Sequence, residues 1–293
     1  MNIVDHLWNT VAEKPDQPAS ICKNVRFTYC QVGKRVNRFS NALRQVGVSH
    51  GDRVGLLSLN CHRFFEIYYG VPQAGAAVVP INFRIPPREV RYILDHSGAV
   101  AVVVDDALAP LLDEVRSKLN TVKHFISIGD APRQGYLSYE QLLKTSGDEY
   151  ARPAITEDDL VGLFYTSGTT GEPKGVMLSH RNIVANIEHS TALHQPKGDD
   201  IYLHAAPMFH LADAATVFSN THHGITQVFI PRFDPKAVLE AIATEHVSSI
   251  LLVPTMINLI LQQPDISSYD LSSLRQITYG ASPIAPDLWK RAM

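Results

Sequence analysis

The chain has 293 residues, of which 45% are hydrophobic and 19% charged, enough apolar material for one large or two ordinary domains with a buried core. Its formal net charge of −3 at pH 7 excludes the basic footprint needed to hold a phosphate polymer, so no nucleic-acid partner is expected. Cys22, Cys30 and Cys61 form no C-x-x-C pair, which argues against a disulfide framework or a zinc site and fits a reducing, cytoplasmic setting.

The opening stretch, MNIVDHLWNT, has neither a basic nor a sustained apolar region. The purest apolar run, Ala99 to Val104, falls far short of the roughly 20 residues that cross a bilayer. Neither a signal peptide nor a membrane span is expected. From Arg53, RVGLLSL predicts a strand, CHRFFEIYYGVPQAG a helix ending at Gly75, and AAVVPIN the next strand. PPREVRYILDHSG reads as helix and AVAVVVD as extended. Further on, extended IYLHAAP, TQVFIP and SSILLVP alternate with helical LADAATVFSNTHHG, PKAVLEAIATEHV and TMINLILQQP. Continuous β-branched runs are what a parallel sheet covered on both faces demands. The predicted class is therefore α/β, with layered, mostly parallel sheets flanked by helices. A polar, Gly- and Pro-rich stretch from Gly129 to Asp159 marks a lobe boundary, giving a first lobe at 1–159 and a second at 160–293. No repeat of fixed period and no low-complexity tract is visible.

The second lobe opens on LFYTSGTTGEPKGVMLSH, Leu163 to His180. Nine residues, Thr166 to Lys174, separate two apolar runs that each read as a buried strand. Gly168, Gly171 and Gly175 permit backbone conformations that aim successive N–H groups at one point, a concavity suited to anions. Thr166, Ser167, Thr169 and Thr170 add hydroxyl donors, and Lys174 adds a full positive charge. The spacing is not the Walker pattern, because Lys174 sits between Pro173 and Gly175 and a strand, not a helix, follows. Read generically, such a loop is a solvated hairpin with a surface lysine.

The whole run YTSGTTGEPKGV resembles the phosphate-binding signature of the adenylate-forming superfamily, which includes acyl-CoA synthetases, luciferases and amino-acid adenylation domains. FTYCQV, GDRVGLLSLN and GAAVVPINFRI upstream, and APMFHLAD, LLVPTMI and YGASPIAP downstream, look like blocks of the acyl-CoA synthetase branch. The resemblance covers essentially the whole chain and implies the large N-terminal domain of such an enzyme, truncated. It implies that ATP activates a carboxylate to an acyl-adenylate, that pyrophosphate leaves, and that the acyl group passes to the thiol of coenzyme A. By the same resemblance Thr166, Ser167, Gly168, Thr169, Thr170, Gly171 and Lys174 hold the phosphates and Thr166 helps to hold Mg²⁺. Lys174 and His210 act in catalysis, His210 beside the substrate carboxylate and the α-phosphate. Gly280, Ala281 and Ser282 form the slot against which adenine lies. The thirteen histidines give no H-E-x-x-H motif, so magnesium with ATP is the only metal expected.

Amino-acid-adenylating relatives carry an aspartate where this chain has His210, so the resemblance makes a free amino acid a poor substrate. Leu211, Ala212, Ala214, Ala215, Val217 and Phe218 follow, either as the wall of an apolar tunnel or as ordinary core. A fatty acid is favoured, with an aryl acid as the other possibility. Two function classes stand: a carboxylate–CoA ligase, and a non-catalytic nucleotide- or acyl-binding protein derived from one. The chain stops at APDLWKRAM without a helix stop signal and without the family's magnesium glutamate, ribose-binding aspartate or C-terminal lysine. The expectation is a fragment with little or no activity alone; the sequence leaves its oligomeric state open.

Overall fold

The computed structural model describes residues 1–129, 133–149, 154–166 and 171–293. Helix α1 (Ile3–Glu13) starts at Asn2, whose side chain accepts from the N–H groups of Val4 and Asp5 while Asp5 accepts from the Asn2 N–H, a reciprocal cap. A hairpin of β1 (Pro18–Cys22) and β2 (Val25–Thr28) leads into α2 (Tyr29–Gln45), capped in the same way by Thr28 and Gln31. Strand and helix then alternate through β3 (Arg53–Leu57), α3 (His62–Gln73), β4 (Ala77–Pro80), α4 (Pro87–Ser97), β5 (Ala99–Val104), α5 (Ala109–Arg116) and β6 (His124–Ser127). A short β7 (Leu137–Ser138) and α6 (Tyr139–Thr145) precede the antiparallel hairpin of β8 (Leu160–Thr166) and β9 (Lys174–Ser179). The chain continues with α7 (His180–His194), β10 (Ile201–His204), α8 (Leu211–His223), β11 (Thr226–Phe229), α9 (Pro235–Glu245) and β12 (Ser249–Leu252). It closes with α10 (Pro254–Leu261), β13 (Gln276–Tyr279) and α11 (Pro286–Ala292).

These strands form two sheets. One has the order β7-β6-β5-β3-β4-β8-β9 and the other β13-β12-β10-β11-β1-β2. Both are parallel except where β9 returns beside β8 and β2 beside β1. Val78, Val79, Val102, Val103 and Val104 have no exposed surface, which is why these strands carry uninterrupted β-branched runs. The sheets divide elsewhere than the predicted lobe boundary at 159. Gly162 of β8 pairs with Val78 of β4, and a Cβ at Gly162 would lie 2.8 Å from the Val78 carbonyl oxygen. That close approach builds the β8–β9 hairpin onto the first sheet, while the N-terminal β1 pairs with β11 of the second.

Helix α3 lies between the sheets and is buried on nearly every face, the all-round apolar pattern of a central helix. Its Tyr68 and Tyr69 rings meet Phe218 of α8 at 5.6 and 5.5 Å, and Phe65 stacks on Phe229 of β11 at 6.3 Å. One apolar core therefore spans both sheets. Strand β9 is not buried as the sequence predicts: it forms the sheet edge, with Val176 45% and Met177 66% exposed. No helix among the described residues is long and apolar enough to cross a membrane.

Candidate active site

The carboxyl ends of the two sheets face a common region, the place where open α/β sheets bind ligands. Asn60, just beyond β3, donates from Nδ2 to the carbonyls of His204 (3.3 Å) and Ala206 (2.8 Å), and its Oδ1 accepts from the Met208 N–H at 2.9 Å. The Asn60 N–H itself donates to the Pro231 carbonyl beyond β11. Tyr68 adds an O–H donated to the Met208 carbonyl at 2.5 Å. Beyond β4, the Phe83 ring packs edge-on against Phe209 at 5.3 Å. The segment after β10 is thus fixed from the first sheet before it reaches His210.

Thr166 and Lys174 are opposed across the β8–β9 ladder and close the base of the loop between them. Both are exposed, and Lys174 pairs with no carboxylate among the described residues. Ser167, Gly168, Thr169 and Thr170 lie outside the described residues; Gly171 is exposed. Gly175 serves a purpose other than backbone freedom. Tyr165 lies across the ladder from it, and a Cβ at Gly175 would sit 3.1 Å from that ring. The Tyr165 hydroxyl, 2.7 Å from His96 Nδ1 and pushed up to about 12 by burial, stays protonated and holds the loop base to α4.

His210 is the N-cap of α8 and uses no side-chain hydrogen bond to cap it. Its ring is exposed, lies 4.3 Å from the Phe209 ring, and is left free to meet a ligand. Partial burial, with the nearby Arg84 charge second, lowers its pKa below the ordinary histidine value, so the imidazole is neutral at pH 7. A neutral ring donates one hydrogen bond to a carboxylate or phosphate oxygen without acting as a fixed counter-charge.

Gly280, Ala281 and Ser282 follow the carboxyl end of β13. Ala281 has φ +67, a left-handed conformation costly for a residue with a Cβ. A Cβ added at Gly280 would meet nothing within 4 Å, so no protein neighbour requires glycine there. No hydrogen bond or ion pair among the described residues joins Gly280–Ser282 or Lys174 to His210; each follows or closes the carboxyl end of its strand.

A cavity of ≈ 470 Å³ opens between α7, α8 and strands β10, β12 and β13, within the range of small-molecule sites. The predicted apolar stripe on α8 splits between two faces. Ala214, Val217 and Phe218 are fully buried in the core, whereas Leu211, Ala212 and Ala215 line the cavity. Beneath it lies a buried polar chain. Tyr202 donates to Asp213 Oδ1 (3.2 Å), Asp213 Oδ2 meets His204 Nδ1 (2.9 Å), and His204 Nε2 meets Gln227 Oε1 (3.0 Å). The Thr221 hydroxyl donates to the Val217 carbonyl and accepts from Gln227 Nε2, which turns the Gln227 oxygen toward His204. Asp213 sits in the first turn of α8, where a carboxylate suits the helix dipole.

Sequence reasoning missed Arg84 and Arg232, whose guanidinium groups lie over the Phe83 ring at 5.4 and 5.3 Å. Their position just beyond the ends of parallel strands was the available signal. It also missed the cavity's polar residues, which come from elements far apart in sequence. Cysteine chemistry is not part of the site: all three thiols are free, and burial pushes Cys61 up to about 12, far from a thiolate at neutral pH.

A family model described as AMP-binding enzyme matches residues 7–293. A long-chain-fatty-acid–CoA ligase of Thermus thermophilus is 36% identical over 263 residues, covering 88% of this chain and 48% of that protein. The inhibitor-bound N-terminal domain of FACL13 from Mycobacterium tuberculosis superposes with a TM-score of 0.92 at 31% identity, over 99% of this chain and 72% of that one. An anthranilate CoA ligase, AuaEII, in complex with anthranoyl-AMP superposes with a TM-score of 0.95 at 27% identity, over 99% and 57%. The chain spans about half the length of the curated relatives it matches. A match over nearly every residue, on a fold shared with solved CoA ligases, makes this chain a member of the AMP-binding enzyme family.

Proposed function

We propose that the protein activates a carboxylic acid with ATP to an acyl-adenylate and passes the acyl group to coenzyme A, in a cytoplasmic setting. The observation that carries this reading is an exposed, neutral imidazole at His210 where α8 begins, with a cavity of ≈ 470 Å³ whose lining starts at the next residue, Leu211, and a Lys174 cation that pairs with no carboxylate among the described residues. Fatty and aryl acids are the favoured substrates; an amino acid, whose ammonium needs a carboxylate, finds none at His210. A carboxylate oxygen attacks the α-phosphorus and pyrophosphate leaves; the thiol then attacks the acyl carbonyl and AMP leaves.

Each residue then has a task. His210 donates a hydrogen bond to the reacting carboxylate or α-phosphate and holds it in line. Lys174, with the N–H groups and hydroxyls of Thr166 to Gly171, stabilises charge growing on the leaving pyrophosphate. Gly280, Ala281 and Ser282 receive the adenine against exposed backbone. No group of three or more His, Cys, Asp or Glu side chains among the described residues is arranged to hold a metal ion. The donors fit Mg²⁺ bound mainly by the phosphates, with the Thr166 hydroxyl as its protein ligand. Bound there, Mg²⁺ would neutralise phosphate charge.

The test is ATP–pyrophosphate exchange in the protein carrying this chain. Lys174→Ala should slow acid-dependent exchange about tenfold or more, a loss of about 1.4 kcal/mol or greater in the transition state. An unchanged rate would return the loop to a solvated hairpin.

A further inference from the structure

The cavity has chemically different ends. Helix α8 leaves the carboxyl ends of the strands at His210 and runs back over the sheet, so its cavity-facing residues mark depth. Leu211, Ala212 and Ala215 come first, then Thr216, Ser219 and Asn220. At about 1.5 Å per residue, Asn220 lies roughly 15 Å along the helix from His210. The sheet floor changes in the same direction. Strand register sets Tyr202, Ser249 and Gln276 side by side near the amino ends, and Leu251 beside Thr278 two residues closer to the carboxyl ends.

Along α8 and β10 the polar residues are the more buried ones, although Leu193 of α7, on the same lining, is 75% exposed. Tyr202, Ser219 and Asn220 are each 7% exposed, against 37% for Leu211 beside His210. Among the described residues, buried Asn220 Nδ2 has no hydrogen-bond partner, and the hydroxyls of Ser219 and Ser249 make no hydrogen bond. Gln276 is engaged by His194. Among the described residues the lining has no lysine or arginine, and its one carboxylate, Asp200, is ion-paired with Arg275. An alkyl tail pushed to this depth would strip water from these groups and return nothing, and buried polar groups without partners are costly and rare.

On the proposed reading that the acyl group enters this cavity beside His210, we infer that the substrate is a carboxylic acid bearing an uncharged hydrogen-bonding group, a hydroxyl, carbonyl or amide, at the end far from its carboxylate. The distal group replaces the water that Asn220, Ser219 and Ser249 would otherwise hold. The absence of an unpaired lining charge selects a neutral group over a second carboxylate or an ammonium. The deep end therefore discriminates by hydrogen bonding, which rejects analogues more strongly than apolar fit does.

The experiment is calorimetric titration of the protein carrying this chain with medium- and long-chain saturated acids, each paired with its terminally hydroxylated counterpart, and in parallel acid-dependent ATP–pyrophosphate exchange. Asn220→Leu, a near-isosteric change, and Ser219→Ala are compared with the parent, their folds checked by circular dichroism. The best hydroxy acid should bind about tenfold or more tightly than its plain partner, and Asn220→Leu should erase or reverse that preference. Equal or tighter binding of the plain acids, or a preference that survives both substitutions, overturns the inference. Exchange driven only by plain acids leaves the ligase reading standing and removes the distal group. An Asn220-dependent hydroxy preference without any exchange upholds the distal group and removes the ligase reading.

Discussion

Replacing Asp213 with alanine deprives two buried groups of a partner at once. The Tyr202 hydroxyl loses its acceptor at 3.2 Å and His204 Nδ1 its neighbour at 2.9 Å, in a site where the His204 and Asp213 side chains have no exposed surface. Water has no room to substitute, so each orphaned group costs about 1–3 kcal/mol. The sum, about 2–6 kcal/mol, brackets the roughly 3–5 kcal/mol known for broken buried pairs. Asp213→Asn should behave differently. Its amide carbonyl still accepts from Tyr202 and its side chain fills the same volume, so only the contact to His204 Nδ1 is lost. That variant should lose about 1–3 kcal/mol, the cost of one unmade bond and not two. Urea unfolding at pH 7, extrapolated linearly, measures both. A cost below about 1 kcal/mol for the alanine variant, or equal damage from asparagine and alanine, would refute the hydrogen-bond assignment.

The remaining predictions concern pH and glycine. Burial lowers His180 to about 4, and its Nδ1 accepts the Ile3 N–H at 3.3 Å, so the folded state keeps this ring neutral. The unfolded chain takes up the proton near pH 6.5 and the folded one does not; stability is therefore full above about pH 6.5 and falls as pH drops toward 4. His180→Gln should flatten that fall in the urea midpoint, and an unchanged slope would show that other groups cause it. Gly162→Ala, which forces a Cβ to within 2.8 Å of the Val78 carbonyl, should cost about 1–3 kcal/mol. Gly280→Ala meets nothing and should leave thermal stability within about 0.5 kcal/mol while weakening ATP binding. Unimpaired nucleotide binding in that variant would remove the adenine slot.

The layered parallel architecture was legible because local signals and the fold agree: runs such as AVAVVV are too apolar for an exposed strand and too short for a helix. Edge and pairing information was not local. VMLS reads as buried from its own residues, yet among the described residues β9 has no strand on its far side. Nothing in PASIC announces that β1 pairs with β11 some 200 residues later. The lobe boundary failed to follow the sheets for the same reason, because β8 joins its sheet through Gly162 and Val78, far apart in sequence. At the site, His210 and the Thr166–Lys174 hairpin stood out because their residue types sit in contiguous motifs. Arg84, Arg232 and the polar depth of the cavity did not. Asn220, Ser249 and Gln276 become neighbours only through a helix and two strands, and each alone is an unremarked polar residue.

The central claim is that a carboxylate oxygen attacks the α-phosphorus of ATP. It is tested most directly by giving the protein carrying this chain an ¹⁸O-carboxylate-labelled acid with ATP, Mg²⁺ and coenzyme A, and weighing the products by mass spectrometry. Adenylation followed by thiol attack must leave one labelled carboxylate oxygen in AMP and none in pyrophosphate. Label in inorganic phosphate together with formation of ADP, or AMP released without label, would contradict the account.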